Sequence, residues 1–136
     1  MFDPPRSPQE VHTQWVAYGQ DKNLDGLLSL YESDAVIYDI DNDRHLVDDA
    51  ARRAFLGGWL EIVERFDLKT VSVTANGSGD FALLRSTWFA EMRKPDGERF
   101  RVEHGGAEIV RRQDDGSFKF IIDNPYAAPF SPEFFD

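Results

Sequence analysis

The stretch Val36-Ile37-Tyr38-Asp39-Ile40-Asp41 places an acid inside an apolar run. Alternate side chains of a strand share a face, so Asp39 points with Ala35 and Ile37. A carboxyl in an apolar wall has two uses. Desolvation raises its pKa towards values that suit a general base. Alternatively it caps the Asp41-Asn42-Asp43 turn. The residues alone leave both readings open. A second acid, Glu108, sits between Gly106 and Val110 on one strand face. It is either an acid partner in a pocket, a hydrogen-bond donor if protonated, or a cross-strand partner for Arg85 or Arg112. Asp123 ends the last apolar run with Asn124; it either reaches a pocket or caps the turn before Pro125. His104 shares the alternation of Glu108 and is the one histidine expected at pocket depth, the alternatives being a buried structural or a surface histidine. His12 is expected on an exposed helix face, and His45 in a loop or short strand. No two histidines have ligand spacing, so no metal is expected.

These residues need elements to carry them. Ser7-Pro8-Gln9-Glu10 reads as a capping box with proline at the first helical position. The helix that follows carries Val11, Trp15 and Tyr18 on one face and stops near Gly19. Asn23 caps a short second helix with Leu24, Leu27, Leu28 and Tyr31 inward. A strand over 35–40 comes next. A third helix begins at Asp48 or Asp49, with Ala51, Phe55, Trp59, Ile62, Val63 and Phe66 as its apolar stripe. Trp15, Phe55, Trp59 and Trp88 form an aromatic set that suits either a core or a pocket wall.

The second half is β. A strand containing Val71 and Val73 and runs over 80–93, 98–112 and 117–123 are separated by Asn76-Gly77-Ser78-Gly79, Lys94-Pro95-Asp96-Gly97 and Gln113-Asp114-Asp115-Gly116. Three turn signals between long strands predict consecutive hairpins. Helices ahead of an antiparallel sheet define an α+β fold. Gly77-Ser78-Gly79 lacks the strand–elbow–helix setting of a hydrolase nucleophile and reads as a turn. In the strand over 80–93, Phe81, Leu83 and Phe89 alternate against a second apolar row. A second copy of the chain is the expected cover for that face, giving a homodimer. The tail YAAPFSPEFFD, 126–136, carries prolines that forbid a regular helix and phenylalanines that favour burial, so an extended, docked segment is expected.

The chain of 136 residues predicts a single domain, 1–136. Its net charge of −10 argues against nucleic acid and anionic membranes as partners. The absence of cysteine removes disulfide and thiol chemistry. The N-terminus lacks the pattern of a signal peptide, and no apolar run reaches spanning length, so a cytoplasmic protein is expected.

The stretch from Trp15 to Asp39, WVAYGQDKNLDGLLSLYESDAVIYD, resembles the opening of ketosteroid isomerases and of the wider nuclear transport factor 2-like and SnoaL-like superfamily. The shared features are a helix, an NLDGLLSLY-type second helix and a D-A-x-x-x-D strand. EIVRRQDDGSFKFIIDNP resembles the closing strands of isomerase homologues in that superfamily. The resemblance implies a cone: a curved antiparallel sheet wrapped around three N-terminal helices, with a pocket at the open end and a dimer through the outer face. It implies Asp39 as general base and places Glu108 near the acid that donates to an oxyanion. Trp15 falls where those enzymes carry a tyrosine, and an indole N–H is a far weaker acid than a phenol. The superfamily hosts isomerases, dehydratases, cyclases, epoxide hydrolases and binding domains. The implied function is an isomerase, dehydratase or cyclase of a small apolar carbonyl compound, without a cofactor. The alternative is a non-catalytic dimeric ligand-binding domain. Trp15, Phe55, Trp59, Trp88, His104 and Asp123 are the implied ligand contacts.

Overall fold

The computed structural model describes residues 2–135; Met1 and Asp136, the ends of the expected domain and tail, lie outside the described residues. Helix α1, Pro8–Gln20, starts where Ser7 accepts from the Glu10 N–H. Helix α2, Leu24–Leu28, is capped by Asn23, whose side chain accepts from the Gly26 N–H at 2.9 Å. Strands β1, Tyr31–Asp39, and β2, Arg44–Leu46, lead to α3, Asp49–Ile62, capped by Asp48. Then come β3, Val63–Ala75, β4, Phe81–Arg93, β5, Arg99–Arg112, and β6, Phe118–Ala128. Gly79, Gly97 and Gly116 take positive φ in the three hairpin turns, a conformation that only glycine adopts without strain. A short 3₁₀ turn, Pro132–Phe135, ends the described chain.

The six strands form one curved sheet in the order β2-β1-β6-β5-β4-β3, and the helices lie against its inner face. The fold is α+β, as the sequence indicates, but the sheet is mixed: β1 runs parallel to β6. Most of the chain separates these two strands, so the connection is long enough for a parallel pair.

Several boundaries differ from expectation, each for a physical reason. Tyr31 opens β1 instead of facing inward from α2, because α2 closes after five residues with the Ser29 and Leu30 N–H groups already bonded back to Asp25 and Leu27. Val63 and Phe66 belong to β3, not α3. Lys22 Nζ donates to the carbonyls of Leu60 (2.8 Å) and Val63 (2.5 Å), closing the helix end, and Val63 pairs with Met92. Strand β6 passes through Pro125 instead of stopping at Asp123, taking in residues 126–128 of the expected tail. Its register with β5 shifts between Gly105 and Ala107, and Pro125 falls in that irregular stretch, where a missing N–H is tolerated.

The inner face is sealed by Leu27, Leu30, Ile37, Leu84 and Val110, all at most 1 % exposed. Arg52 of α3 is also buried. Its guanidinium donates to the carbonyls of Ala35 and Ser33, in the part of β1 where the register with β6 is interrupted. It thus supplies donors that the sheet cannot give there. On the outer face, Phe89 is covered by Phe135 in an edge-on contact, and the Ser131 N–H donates to buried Thr87. Phe81, Leu83 and Ile122 remain about two-fifths exposed, and Ile109 lies between Leu83 and Ile122 in the same cross-strand row.

Candidate functional site

A cavity of about 80 Å³ lies between the helices and the inner face of the sheet. One water needs roughly 10–15 Å³, so the space accepts a few waters or a small ring. Its walls are mostly apolar. Helix α1 contributes Trp15, α3 contributes Phe55, Leu56 and Trp59, and the sheet adds Ile37, Phe66, Trp88 and Phe120. All three tryptophans of the chain line it. The polar groups are few: His12, Ser86, Glu108, Asp123 and the tyrosine ring of Tyr126.

Glu108 and Asp123 are register partners on β5 and β6, so both carboxyls face the cavity from neighbouring strands. Glu108 is not an outer-face partner of Arg85 or Arg112. Its Oε1 lies 2.5 Å from His12 Nε2, and its Oε2 accepts from Ser86 at 3.0 Å. His12 is buried rather than exposed, since the face of α1 that meets the sheet includes it; Nδ1 lies 2.7 Å from Thr70 Oγ1. Gly106 makes room for this arrangement: a Cβ there would collide with Glu108 Oε2 and Ser86 Oγ.

Asp123 is held differently. Trp15 Nε1 donates to the Tyr31 hydroxyl at 3.0 Å, and Tyr31 donates to Asp123 Oδ2 at 2.6 Å. The direction follows from chemistry. An indole N–H only donates, so the Tyr31 oxygen accepts it; the Tyr31 hydroxyl has no acceptor other than Asp123 Oδ2 among the described residues and sends its proton there. Oδ2 is therefore an acceptor, and a proton on Asp123 resides on Oδ1. Among the described residues Oδ1 has no hydrogen-bond partner, while the residue is 9 % exposed and lines the cavity. Burial, together with the charge of Glu108, raises the Asp123 pKa to about 7, against the smaller lowering effect of the Tyr31 hydrogen bond. Burial and then the Asp123 charge push the Tyr31 hydroxyl well above its ordinary value, so it stays protonated.

Of the residues expected at the site, Trp15, Phe55, Trp59, Trp88, Glu108 and Asp123 line the cavity, whereas Asp39 and His104 do not. Strand β5 turns His104 to the cavity side of the sheet, but it packs behind the wall, 5.4 Å from Trp88 and 5.0 Å from Tyr126 between ring centroids. Asp39 is buried at the end of β1, beyond Ile37. Its Oδ2 accepts from Asn42 Nδ2 at 2.9 Å and Arg44 Nε at 3.0 Å. Burial pushes its pKa up, but the bonds from the Asn42 side chain, Arg44 and the Asn42 backbone outweigh it, leaving the pKa below the ordinary value. The sequence reading missed His12, Tyr31, Ser86 and Thr70. Tyr31 precedes the D-A-x-x-x-D segment by three residues, and its strand period would have found it; His12 carries no local signal. Among the described residues, no group of three or more acids and histidines is disposed to hold a metal.

Comparison with solved structures places this geometry in a known fold. The chain is similar to a ketosteroid isomerase-like protein from Erwinia carotovora atroseptica, with 14 % identity, a TM-score of 0.74, and coverage of 85 % of this chain and 88 % of that one. It is similar to a protein described as a SnoaL-like polyketide cyclase from Shewanella denitrificans, with 15 % identity, a TM-score of 0.64 and coverage of 87 % and 88 %. It is also similar to an uncharacterised protein with a cystatin-like fold from Caulobacter vibrioides, with 13 % identity, a TM-score of 0.69 and coverage of 92 % and 88 %. No protein-family model and no curated protein matches the chain. The protein therefore has the cystatin-like fold shared by ketosteroid isomerase-like and SnoaL-like proteins. Among the described residues no helix is long and apolar enough to cross a membrane.

The Asp39 contacts generate a stability prediction. A carboxyl whose folded pKa is lowered contributes stability above its unfolded pKa and loses that contribution as pH falls through the folded value. Asp39→Asn is expected to lose about 0.5–2 kcal/mol at pH 7, the scale of a lost cap, measured by urea unfolding. The deficit should shrink towards pH 3. An unchanged or raised midpoint at pH 7 would contradict the capping role.

Proposed function

We propose that the cavity binds a small, largely apolar carbonyl compound and that its two acids move a proton on it. The observation that carries this reading is Asp123, which lines an apolar cavity with its Oδ1 unpartnered among the described residues and its pKa raised to about 7. Protonated, Asp123 donates from Oδ1 to the ligand carbonyl oxygen. Glu108 removes the proton alpha to that carbonyl: the C–H bond breaks, its electrons form the enolate, and the proton sits on Glu108. The Oδ1–H bond holds the enolate oxygen. Return of the proton from Glu108 to another carbon of the conjugated system completes an isomerisation. His12 and Ser86 hold the two Glu108 oxygens in place. This assigns the donor role to Asp123, the base role to Glu108 and a structural role to Asp39.

One observation favours a second reading. Both Glu108 oxygens are already engaged, which suits a binding domain that holds a ligand without turning it over. Cyclohexanone in deuterated buffer separates the two. Catalysis predicts accelerated exchange of its alpha hydrogens, followed by NMR, and a loss of about 10²–10⁴-fold in Glu108→Gln. Binding without exchange leaves the binding domain; neither binding nor exchange removes both readings.

We also propose a homodimer through the outer sheet face, where Phe81, Leu83 and Ile122 stay exposed beside the region covered by Phe135. Sedimentation is expected to give twice the 15.6 kDa chain mass. A 15.6 kDa species at all concentrations would contradict it.

A further inference from the structure

The cavity has an unusual balance of polar groups. It contains two carboxyls and no lysine or arginine among its lining residues. Among the described residues that line it, the remaining basic side chain is His12, which is bound to Glu108 on one nitrogen and Thr70 on the other. Donors are scarcer still. The Trp15 indole N–H is used on Tyr31, the Tyr31 hydroxyl on Asp123, the Ser86 hydroxyl on Glu108, and the Trp88 indole N–H on the Pro125 carbonyl at 2.8 Å. Tyr126 also lines the cavity, and its hydroxyl has no hydrogen-bond partner among the described residues, so with Asp123 ionised the cavity offers acceptors, aromatic rings and one free hydroxyl. Such a lining opposes negative charge and favours positive charge.

From this arrangement we infer that the cavity is also a site for a small apolar amine, bound as its ammonium, with Asp123 Oδ1 as the counter-ion and the surrounding rings as the cation's walls. The inference rests on reading the cavity as a ligand site, and it adds a second ligand class to it. A buried ammonium needs both a charge partner and hydrogen-bond acceptors. Oδ1 provides these from a side chain that is nine-tenths buried and otherwise unpartnered on that atom. Aromatic faces attract a cation, tryptophan most strongly, and three tryptophans line the space. The same oxygen serves both ligand classes in different states. As a carboxylic acid it donates to a carbonyl; as a carboxylate it accepts from an ammonium.

The groups around Asp123 fix the direction of the pH response. From β1, Tyr31 donates to Oδ2. From β5, Glu108 adds negative charge, with His12 of α1 bound to its Oε1. Along β6, Tyr126 lines the cavity, its hydroxyl pushed up by burial and then by the charges of Asp41, Asp123 and Asp39. Helix α3 presents Phe55, Leu56 and Trp59 and no charge. No lysine or arginine offsets the acids from the cavity walls. Ionisation of Asp123 near pH 7 therefore turns amine binding on and carbonyl binding down.

The test uses cyclohexylamine and cyclohexanone, matched in ring size, titrated into the whole protein with tryptophan fluorescence as the readout. Cyclohexylamine is expected to bind about tenfold more tightly at pH 8 than at pH 6, because the ionised fraction of a group with pKa about 7 rises about tenfold across that range. Cyclohexanone is expected to show the opposite trend. In Asp123→Asn the Tyr31 hydroxyl holds the amide oxygen, which leaves the amide N–H₂ facing the cavity. That variant should lose cyclohexylamine binding by at least tenfold, and what amine binding remains should no longer change between pH 6 and pH 8. Ketone binding without amine binding overturns the inference and leaves the proposed function standing. Amine binding that is equal at pH 6 and pH 8, or unchanged in Asp123→Asn, overturns it too, since the ammonium then sits elsewhere on the acidic surface. If neither compound binds, both the inference and the proposed function fail.

Discussion

The site depends on one directional chain: indole to phenol to carboxyl. Trp15 can only donate, and Tyr31, whose hydroxyl has no other acceptor among the described residues, donates onward to Asp123 Oδ2. This leaves Asp123 Oδ1 without a hydrogen-bond partner among the described residues, on a side chain that lines the cavity. Each member comes from a different element, α1, β1 and β6, so the chain also records how those elements are assembled. The parallel pairing of β1 with β6, with Ile37 opposite Asp123, sets the phenol beside the carboxyl. Without that pairing Tyr31 and Asp123 have no reason to meet across a sequence separation of 92 residues.

The two acids illustrate how similar burial leads to different chemistry. Glu108 is tied down on both oxygens, while Asp123 is tied on one. Their register pairing brings the charge of Glu108 to bear on Asp123, and burial removes the water that would screen it. Asp39 has the reverse outcome, because Asn42 and Arg44 satisfy the ionised form and outweigh its desolvation. Solvent exclusion alone does not set a carboxyl's role; the donors around it do.

Much of the architecture was legible because it rests on local rules. The Ser7, Asn23 and Asp48 caps, the three glycine turns and the alternation in β4 and β5 are all short-range signals. The aromatic lining was legible for the same reason: a cavity in this fold has to be walled by core-facing residues. What stayed hidden depends on distant partners. His12 looks like a surface residue of α1 until Thr70 and Glu108, 58 and 96 residues away, are placed beside it. The end of α3 differs from expectation because Lys22, in the turn between α1 and α2, closes it. Asp39 drew attention through its apolar neighbours, yet the two donors that decide its role lie in the next five residues. Its position in the D-A-x-x-x-D strand pointed to the cavity; its actual contacts point to the turn.

The central claim is that Asp123 holds a proton on its cavity-facing oxygen close to neutral pH. A carbon-13 NMR titration of the aspartate side-chain carboxyls, with Asp123 assigned by comparison with Asp123→Asn, measures it directly. The account predicts a resonance that titrates with a midpoint of about 7 and disappears in the variant. A midpoint at or below about 4, the value of a free aspartate, would contradict it.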